Sequence, residues 1–220
     1  MRNMNKLMVI AAFVLVVNVT FGQESDKDWK KTMPLDNGAH LLFTASSLSD
    51  MQFDETKSLL GLDWGNTFNV YKLDGVDLAL GIRVSWIDVN FRSQTIDLGF
   101  GSEELTNYTA IASFFGIGPN VTYKIQEKIG VEAYFKVKPV LYVNWSETSD
   151  DLSTSDVSEA GFGTTNAFGI AGRYDVFTLG VEFGGGTITT TQTTDTALDS
   201  IEVDFDRPLA YTRFFIGFRF

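Results

Sequence analysis

The 220-residue chain contains no cysteine, which excludes disulfides, thiolate metal sites and a lipid anchor on an N-terminal cysteine. Proline occurs only four times and no linker-like stretch interrupts the chain, so one domain is the economical reading. A single histidine, His40, leaves a serine-histidine-acid set nothing to assemble from at recognisable spacing, and a lone histidine is more often a hydrogen-bonded filler. No phosphate-cradling loop is present, because Gly184-Gly185-Gly186 falls late in a strand pattern with no helix behind it. Past the first two dozen residues, no window holds the 18 or so consecutive apolar residues of a membrane helix. Bases are scarce as well: 17 Lys and Arg face 28 Asp and Glu, a net charge of −11, which argues against nucleic acid as a partner. No catalytic role and no cofactor is expected from this inventory.

What is present begins with an export signal. Arg2 and Lys6 precede an apolar run from Leu7 to Val19, and Thr20-Phe21-Gly22 offers small residues for cleavage before Gln23. Thirteen apolar residues are too few to span a bilayer, which takes about 20. Residues 1–22 therefore read as a signal peptide, 23–37 as a short periplasmic segment and 38–220 as the folded domain. Cleavage leaves fifteen basic and twenty-eight acidic residues, a net charge of −13.

The domain is dominated by period-two alternation. Ala210, Thr212, Phe214, Ile216, Phe218 and Phe220 share one parity, against Tyr211, Arg213, Phe215, Gly217 and Arg219 on the other. Val131, Ala133, Phe135, Val137, Pro139, Leu141, Val143 and Trp145 alternate likewise with Glu132, Tyr134, Lys136, Lys138, Val140, Tyr142 and Asn144. Fifteen residues is long for a globular strand, where about five or six is usual. Similar alternation runs from Val76 to Trp86, Ser113 to Ile125 and Phe177 to Gly184, and weaker strands lie at 39–47, 60–72 and 162–174.

These eight strands are joined by connections that alternate strictly between short turns, at 73–75, 126–128 and 174–175, and long polar segments near 48–59, 93–108, 146–160 and 187–207. An up-and-down barrel in the bacterial outer membrane, with both termini periplasmic, requires this alternation. Closure is required too, since an open sheet edge cannot persist in lipid. The expected fold is thus all-β, an eight-stranded antiparallel up-and-down transmembrane β-barrel with outer-membrane lipid around it. Trp64, Trp86 and Trp145 share the apolar parity beside long segments and are expected to form an outer interface girdle; Tyr123, Tyr174 and Phe220 would form the inner one. A soluble barrel would show the same alternation turned inside out. Strand length, loop alternation and a polar parity rich in small residues favour the membrane form.

The ending Phe214-Phe215-Ile216-Gly217-Phe218-Arg219-Phe220 resembles the C-terminal signal of bacterial outer-membrane proteins, carried on Phe214, Ile216, Phe218 and Phe220. That resemblance implies recognition by the barrel-assembly machinery. Across the domain the layout looks like the PorT-like small barrels of Bacteroidota and, more distantly, OmpA and OmpX, and Gln23 after the cut is similar to mature ends in that phylum. The PorT-like resemblance implies an accessory role in protein secretion, within a larger envelope complex.

Candidate functional residues fall in two groups. Arg83, Lys136, Glu182 and Arg213 sit on the inward parity near mid-strand, with Glu132, Lys138, Arg173 and Lys124 nearer the ends; buried charges need partners, so a salt-bridged interior plug is expected, with a narrow conduit as the alternative. The second group is acidic and external. Residues 146–160 hold Glu147, Asp150, Asp151, Asp156 and Glu159, and residues 191–206 hold Asp195, Asp199, Glu202, Asp204 and Asp206, neither with a base. Glu202, Asp204 and Asp206 fall on one side of a strand extension and are weak candidates for a hard cation, although no EF-hand spacing supports them. The Thr-rich run 187–196 reads as the other arm of that hairpin. A non-enzymatic barrel with a structural, surface-interaction or assembly-subunit role is the leading expectation.

Overall fold

A computed structural model describes residues 38–50, 55–73, 76–97, 104–126, 128–149, 156–195 and 200–220. The expected signal peptide and the segment 23–37 lie outside the described residues. Eight strands follow in chain order: β1 Gly38–Asp50, β2 Glu55–Lys72, β3 Leu78–Asp97, β4 Glu104–Gln126, β5 Ile129–Ser149, β6 Asp156–Tyr174, β7 Phe177–Asp195 and β8 Ser200–Arg219. Each pairs antiparallel with the next, and β8 pairs with β1, so the sheet closes into a barrel. At the seam Ala39 N donates to Phe220 O at 2.8 Å and Phe220 N to Ala39 O at 3.0 Å.

The register fixes the barrel's shape. Following paired residues once round the wall leads from Ala39 through Asn66, Val84, Ile117, Val137, Asn166, Gly185 and Ala210 back to β1 at Ser49, a stagger of ten residues. With strands about 4.8 Å apart and about 3.3 Å per residue, that stagger tilts the strands by about 40° and raises the chain about 2.5 Å along the axis per residue. The end carrying Gly38 and Phe220 is called the lower end.

The two parities differ in chemistry, the charges lying inside and most large apolar side chains outside. Phe43, Phe135, Phe168, Phe183, Phe214 and Leu179 are exposed on the outside, while Arg83, Lys136, Glu182 and Arg213 are buried inside. An apolar band this continuous is foreign to a soluble monomer and natural to a wall that faces lipid.

Three features depart from the sequence expectations. The polar segments at 93–97, 104–108, 146–149, 156–160, 187–195 and 200–207 are strand rather than loop, because ladder pairing continues where both faces have become polar and alternation is lost. This extension leaves Trp64 and Trp86 at mid-strand, while Trp145 stays near the upper end of β5 and stacks on Tyr108 with ring centroids 5.0 Å apart. Finally, of the four register shifts in the described ladders, two near mid-strand reverse the inside–outside alternation. One lies at Trp86, where β2 and β3 slip register; the other falls between Ser113 and Ile117, with Phe115 at φ 58°. Above the second, Ser113 turns inward although its parity matched that of outward Ile117. Trp86 also satisfies an outward polar group, donating from Nε1 to Asn66 Oδ1 at 2.6 Å.

Candidate functional site: the barrel interior

Inward parity on an eight-stranded wall gathers side chains from every strand into a narrow core, and here they are stacked in layers. The order can be read up β5 as Glu132, Lys136, Lys138, Val140 and Tyr142, and up β8 as Arg219, Arg213, Tyr211, Leu209 and Arg207.

The lowest layer is a pair of guanidinium groups sharing one carboxylate. Arg83 Nη1 reaches Glu132 Oε1 at 2.9 Å, and Arg219 Nη1 reaches Glu132 Oε2 at 2.8 Å. Arg83 also lies 4.2 Å from the centroid of the Tyr134 ring.

Above it sits a cage of three cations and three acids. Arg213 holds Asp88 bidentately, at 2.7 and 2.9 Å, and also bonds Glu182. Lys138 Nζ lies 3.0 Å from both Asp88 Oδ2 and Glu182 Oε1. Lys136 Nζ lies 3.0 Å from Glu182 Oε2 and 3.3 Å from Asp63 Oδ2. Two tyrosines complete the shell of Glu182, Tyr134 OH donating at 2.9 Å and Tyr211 OH at 3.0 Å. Glu182 is thus the hub, with five donors on one carboxylate. Both tyrosines pair across the ladder from a glycine, and a Cβ at Gly169 or Gly184 would fall 2.2 or 2.3 Å from the tyrosine ring. The absence of a side chain there lets each ring lie flat along the wall and aim its hydroxyl at Glu182.

Over the cage lies an apolar lid of Leu48, Leu59, Val140, Tyr142, Ile188 and Leu209, with Ile111 and Tyr211 packed against it. Between lid and cage is a cavity of about 40 Å³. Ser113 and Thr165 border it, and their buried hydroxyls have no hydrogen-bond partner among the described residues. A polar hollow of this size accommodates one or a few waters. Above the lid, Arg207 Nη2 pairs with Glu159 Oε1 at 2.8 Å and Arg207 Nη1 donates to Tyr142 OH at 2.7 Å.

Every member of the expected interior set, Arg83, Glu132, Lys136, Glu182 and Arg213, is buried in these layers. Lys138, expected nearer an end, lies in the cage, while Arg173 and Lys124 are half-buried low on the wall. Sequence reasoning missed Asp63 and Asp88. Asp88 stands above the Trp86 bulge, so simple parity counted from Arg83 would send it outward. The signal that marks each bulge is a pair of adjacent apolar residues, Trp86-Ile87 and Phe114-Phe115, where strict alternation would place one inside.

His40 lies inside, with Nε2 3.8 Å from Asp63 Oδ1, and Ser85 Oγ donates to Asp63 Oδ2 at 3.2 Å. The fold therefore brings a histidine, an acid and a hydroxyl together, but each is no more than 2% exposed and Lys136 also binds both Asp63 and Ser85. That arrangement is a packed polar cluster with no approach for a substrate.

The external acids do not converge. Asp206 accepts from Thr189 Oγ1 at 2.8 Å and Asp204 from Thr191 Oγ1 at 2.6 Å, while alternate strand residues stand about 6.6 Å apart. Among the described residues no group of three or more His, Cys, Asp or Glu is placed to hold a metal ion. Glu159, expected on an outer loop, points inward to Arg207; the side chains of Glu147, Asp150, Asp151, Asp156, Asp195 and Asp199 lie outside the described residues.

The chain matches no family model and no curated protein. Solved outer-membrane proteins are similar to it at low identity. Ail, the attachment invasion locus protein of Yersinia pestis, solved with the heparin analogue sucrose octasulfate, is 11% identical with a TM-score of 0.46, over 84% of this chain and 100% of that one. The outer membrane protease OmpT of Escherichia coli is 9% identical with a TM-score of 0.48, over 84% and 95%. A major outer membrane protein of Thermus thermophilus is 15% identical with a TM-score of 0.42, over 83% and 99%. Likeness at this level assigns no role.

Proposed function

We propose that the protein is a non-enzymatic barrel of the bacterial outer membrane, periplasmic at both termini, that works through its outer surface: in envelope structure, surface interaction or as a subunit of a larger assembly. The closed interior carries this reading. The Glu182 cage and the apolar lid occupy the lumen in succession, which supports a barrel without an axial path for ions or solutes. The lipid-facing Phe214, Ile216, Phe218 and Phe220 serve as the assembly signal, and Tyr123, Tyr174 and Phe220 below with Trp145 above mark the interface levels.

Planar-bilayer recording tests the reading. No steady single-channel conductance is expected; a steady conductance that disappears on plugging substitutions around Arg83 and Arg213 would overturn it in favour of the narrow-conduit alternative, for which the cavity under the lid is the supporting observation. An accessory role in secretion has only the PorT-like resemblance behind it, and co-purification of secretion components from native membranes is its test.

A further inference from the structure

The layers of the lumen differ in charge balance. The Glu182 cage sets three cations against three acids and is neutral as it stands. The lower mouth is not. Among the described residues, the inward positions below the cage hold Arg83, Lys124, Arg173 and Arg219 against Glu132 alone, an excess of three positive charges in a chain whose net charge is −11. At the rim, Lys72 pairs with Asp77 at 3.8 Å and Lys128 with Asp175 at 3.7 Å, so these leave the balance unchanged. The terminal residue Phe220 stands on the far side of the ring, at the β8–β1 seam, where its O accepts from Ala39 N.

Two of the excess cations share one ladder row. Lys124 on β4 pairs with Gly130 on β5, Gly130 with Arg173 on β6, and Arg173 with Thr178 on β7. All four positions are inward, and strands about 4.8 Å apart set the Cα atoms of Lys124 and Arg173 about 10 Å from each other. Gly130 leaves the wall bare between them: a Cβ there would meet only Tyr123 O at 3.4 Å and Arg173 Nη2 at 3.7 Å. One level higher, Glu132 spends one oxygen on Arg83 at 2.9 Å and the other on Arg219 at 2.8 Å. A cavity of about 10 Å³, lined by Gly130, Glu132, Arg173, Thr178 and Arg219, lies beside the row and has room for about one water-sized group.

We propose that this row is a cradle for a phosphate group, which enters from the lower, periplasmic mouth and lies over Gly130 between Lys124 and Arg173, with one oxygen directed into the cavity beside Arg219. Ammonium and guanidinium donors bind a phosphate through charge-assisted hydrogen bonds, the guanidinium bidentately. Charge selects phosphate over carboxylate. A phosphate monoester carries about −1.5 to −2 at pH 7, so it offsets more of the excess than the single charge of a carboxylate does. Position excludes the headgroup of a surrounding lipid, because lipid meets Tyr123 and Val131 on the opposite parity of the same strands. The ligand therefore arrives through water along the axis. The Glu182 cage stands above it, so the mouth takes up and releases its ligand from one side. This site goes beyond the outer-surface role proposed above and shares with it only the filled lumen and the periplasmic lower end.

Titration calorimetry tests the cradle on the full protein purified in mild detergent, at constant ionic strength, with inorganic phosphate and glycerol 3-phosphate as probes and acetate as the control. Saturable binding of one phosphate per barrel is expected, at least tenfold tighter than acetate. Arg173→Gln should weaken it at least tenfold. Gly130→Asp sets a carboxylate in the cradle, where a Cβ is tolerated, and should abolish phosphate binding without removing a cation. Lys72→Gln removes a rim cation two strands away from the row and should change the affinity less than threefold. Heat-modifiable mobility reports that each variant is folded. A monoester that binds tenfold tighter than the free ion assigns the cradle to a phosphorylated molecule, and equal affinities assign it to the free ion. Absence of saturable binding, acetate as tight as phosphate, or equal losses from Lys72→Gln and Arg173→Gln overturn the proposal and reduce the mouth to a screened excess of charge. Conductance tests the earlier reading separately: a steady current fails the filled lumen whatever the calorimetry gives, and a failed titration leaves that lumen as it is.

Discussion

Glu182→Gln is the substitution that tests the interior most directly. The cage holds Lys136, Lys138 and Arg213 against Asp63, Asp88 and Glu182, three charges of each sign, all buried. Glutamine keeps the shape of the hub but leaves three cations facing two acids, and its amide nitrogen presents donors where Lys, Arg and Tyr already donate. A lost neutral hydrogen bond costs about 1 kcal/mol, whereas stripping one partner from a buried ion pair costs about 3–5 kcal/mol because the other charge stays buried. The larger figure applies, since Glu182 is buried and the cations it holds, Lys136, Lys138 and Arg213, stay buried with it. Equilibrium urea unfolding in lipid vesicles, followed by tryptophan fluorescence with heat-modifiable mobility as the fold readout, measures it. Lys138→Met in the same chain restores two charges of each sign and is expected to recover at least half of the loss. A Glu182→Gln loss below about 1 kcal/mol, or a double variant that merely sums two single losses, would refute a charge-balanced cage.

Further outcomes follow from other layers. Gly184→Ala drives a Cβ into the Tyr211 ring and should cost about 1–3 kcal/mol in the same unfolding assay, with Gly169→Ala acting alike on Tyr134. Ile188→Ala hollows the lid, whose Ile188 is fully buried, and should cost about 2–4 kcal/mol while opening no conductance, because the cage below still fills the lumen. Deleting Phe220 removes both seam hydrogen bonds to Ala39 and the last lipid-facing aromatic. Outer-membrane yield should fall while export to the periplasm continues, and a normal yield would count against the assembly-signal role.

The wall was legible in the sequence wherever one face was apolar and the other was not. β5 and β8 showed every inside–outside assignment, because lipid and lumen demand opposite chemistry at successive residues. Legibility failed in two physical situations. Above the apolar band the outward face turns polar while the inward face already holds polar groups, so the pairings Thr189–Asp206 and Thr191–Asp204 continue a ladder that composition reads as loop. At a bulge two neighbours share a face, so Asp88 was hidden although its chemistry matched Arg213. The charges expected inside could be chosen from one parity, but the acids opposite them required the register, and the register required the bulges.

That dependence has a consequence for how the barrel forms. The cage is built mostly across the lumen rather than along the wall: Arg213 on β8 meets Asp88 on β3, Lys136 on β5 meets Asp63 on β2, and Lys138 on β5 meets Asp88 on β3. Of the cage's ion pairs only Arg213–Glu182 joins cross-strand neighbours; its other direct ladder pair, Asp63 and Asp88, is of like charge. An incompletely closed sheet would therefore hold most of its interior charges unpaired, and in hydrocarbon each costs several kcal/mol. Closure of β8 onto β1 brings Arg213, Arg219 and the backbone of Phe220 into place together. Pairing of the interior and sealing of the seam are thus one event, and the sheet has every reason to enter the membrane already curling toward closure.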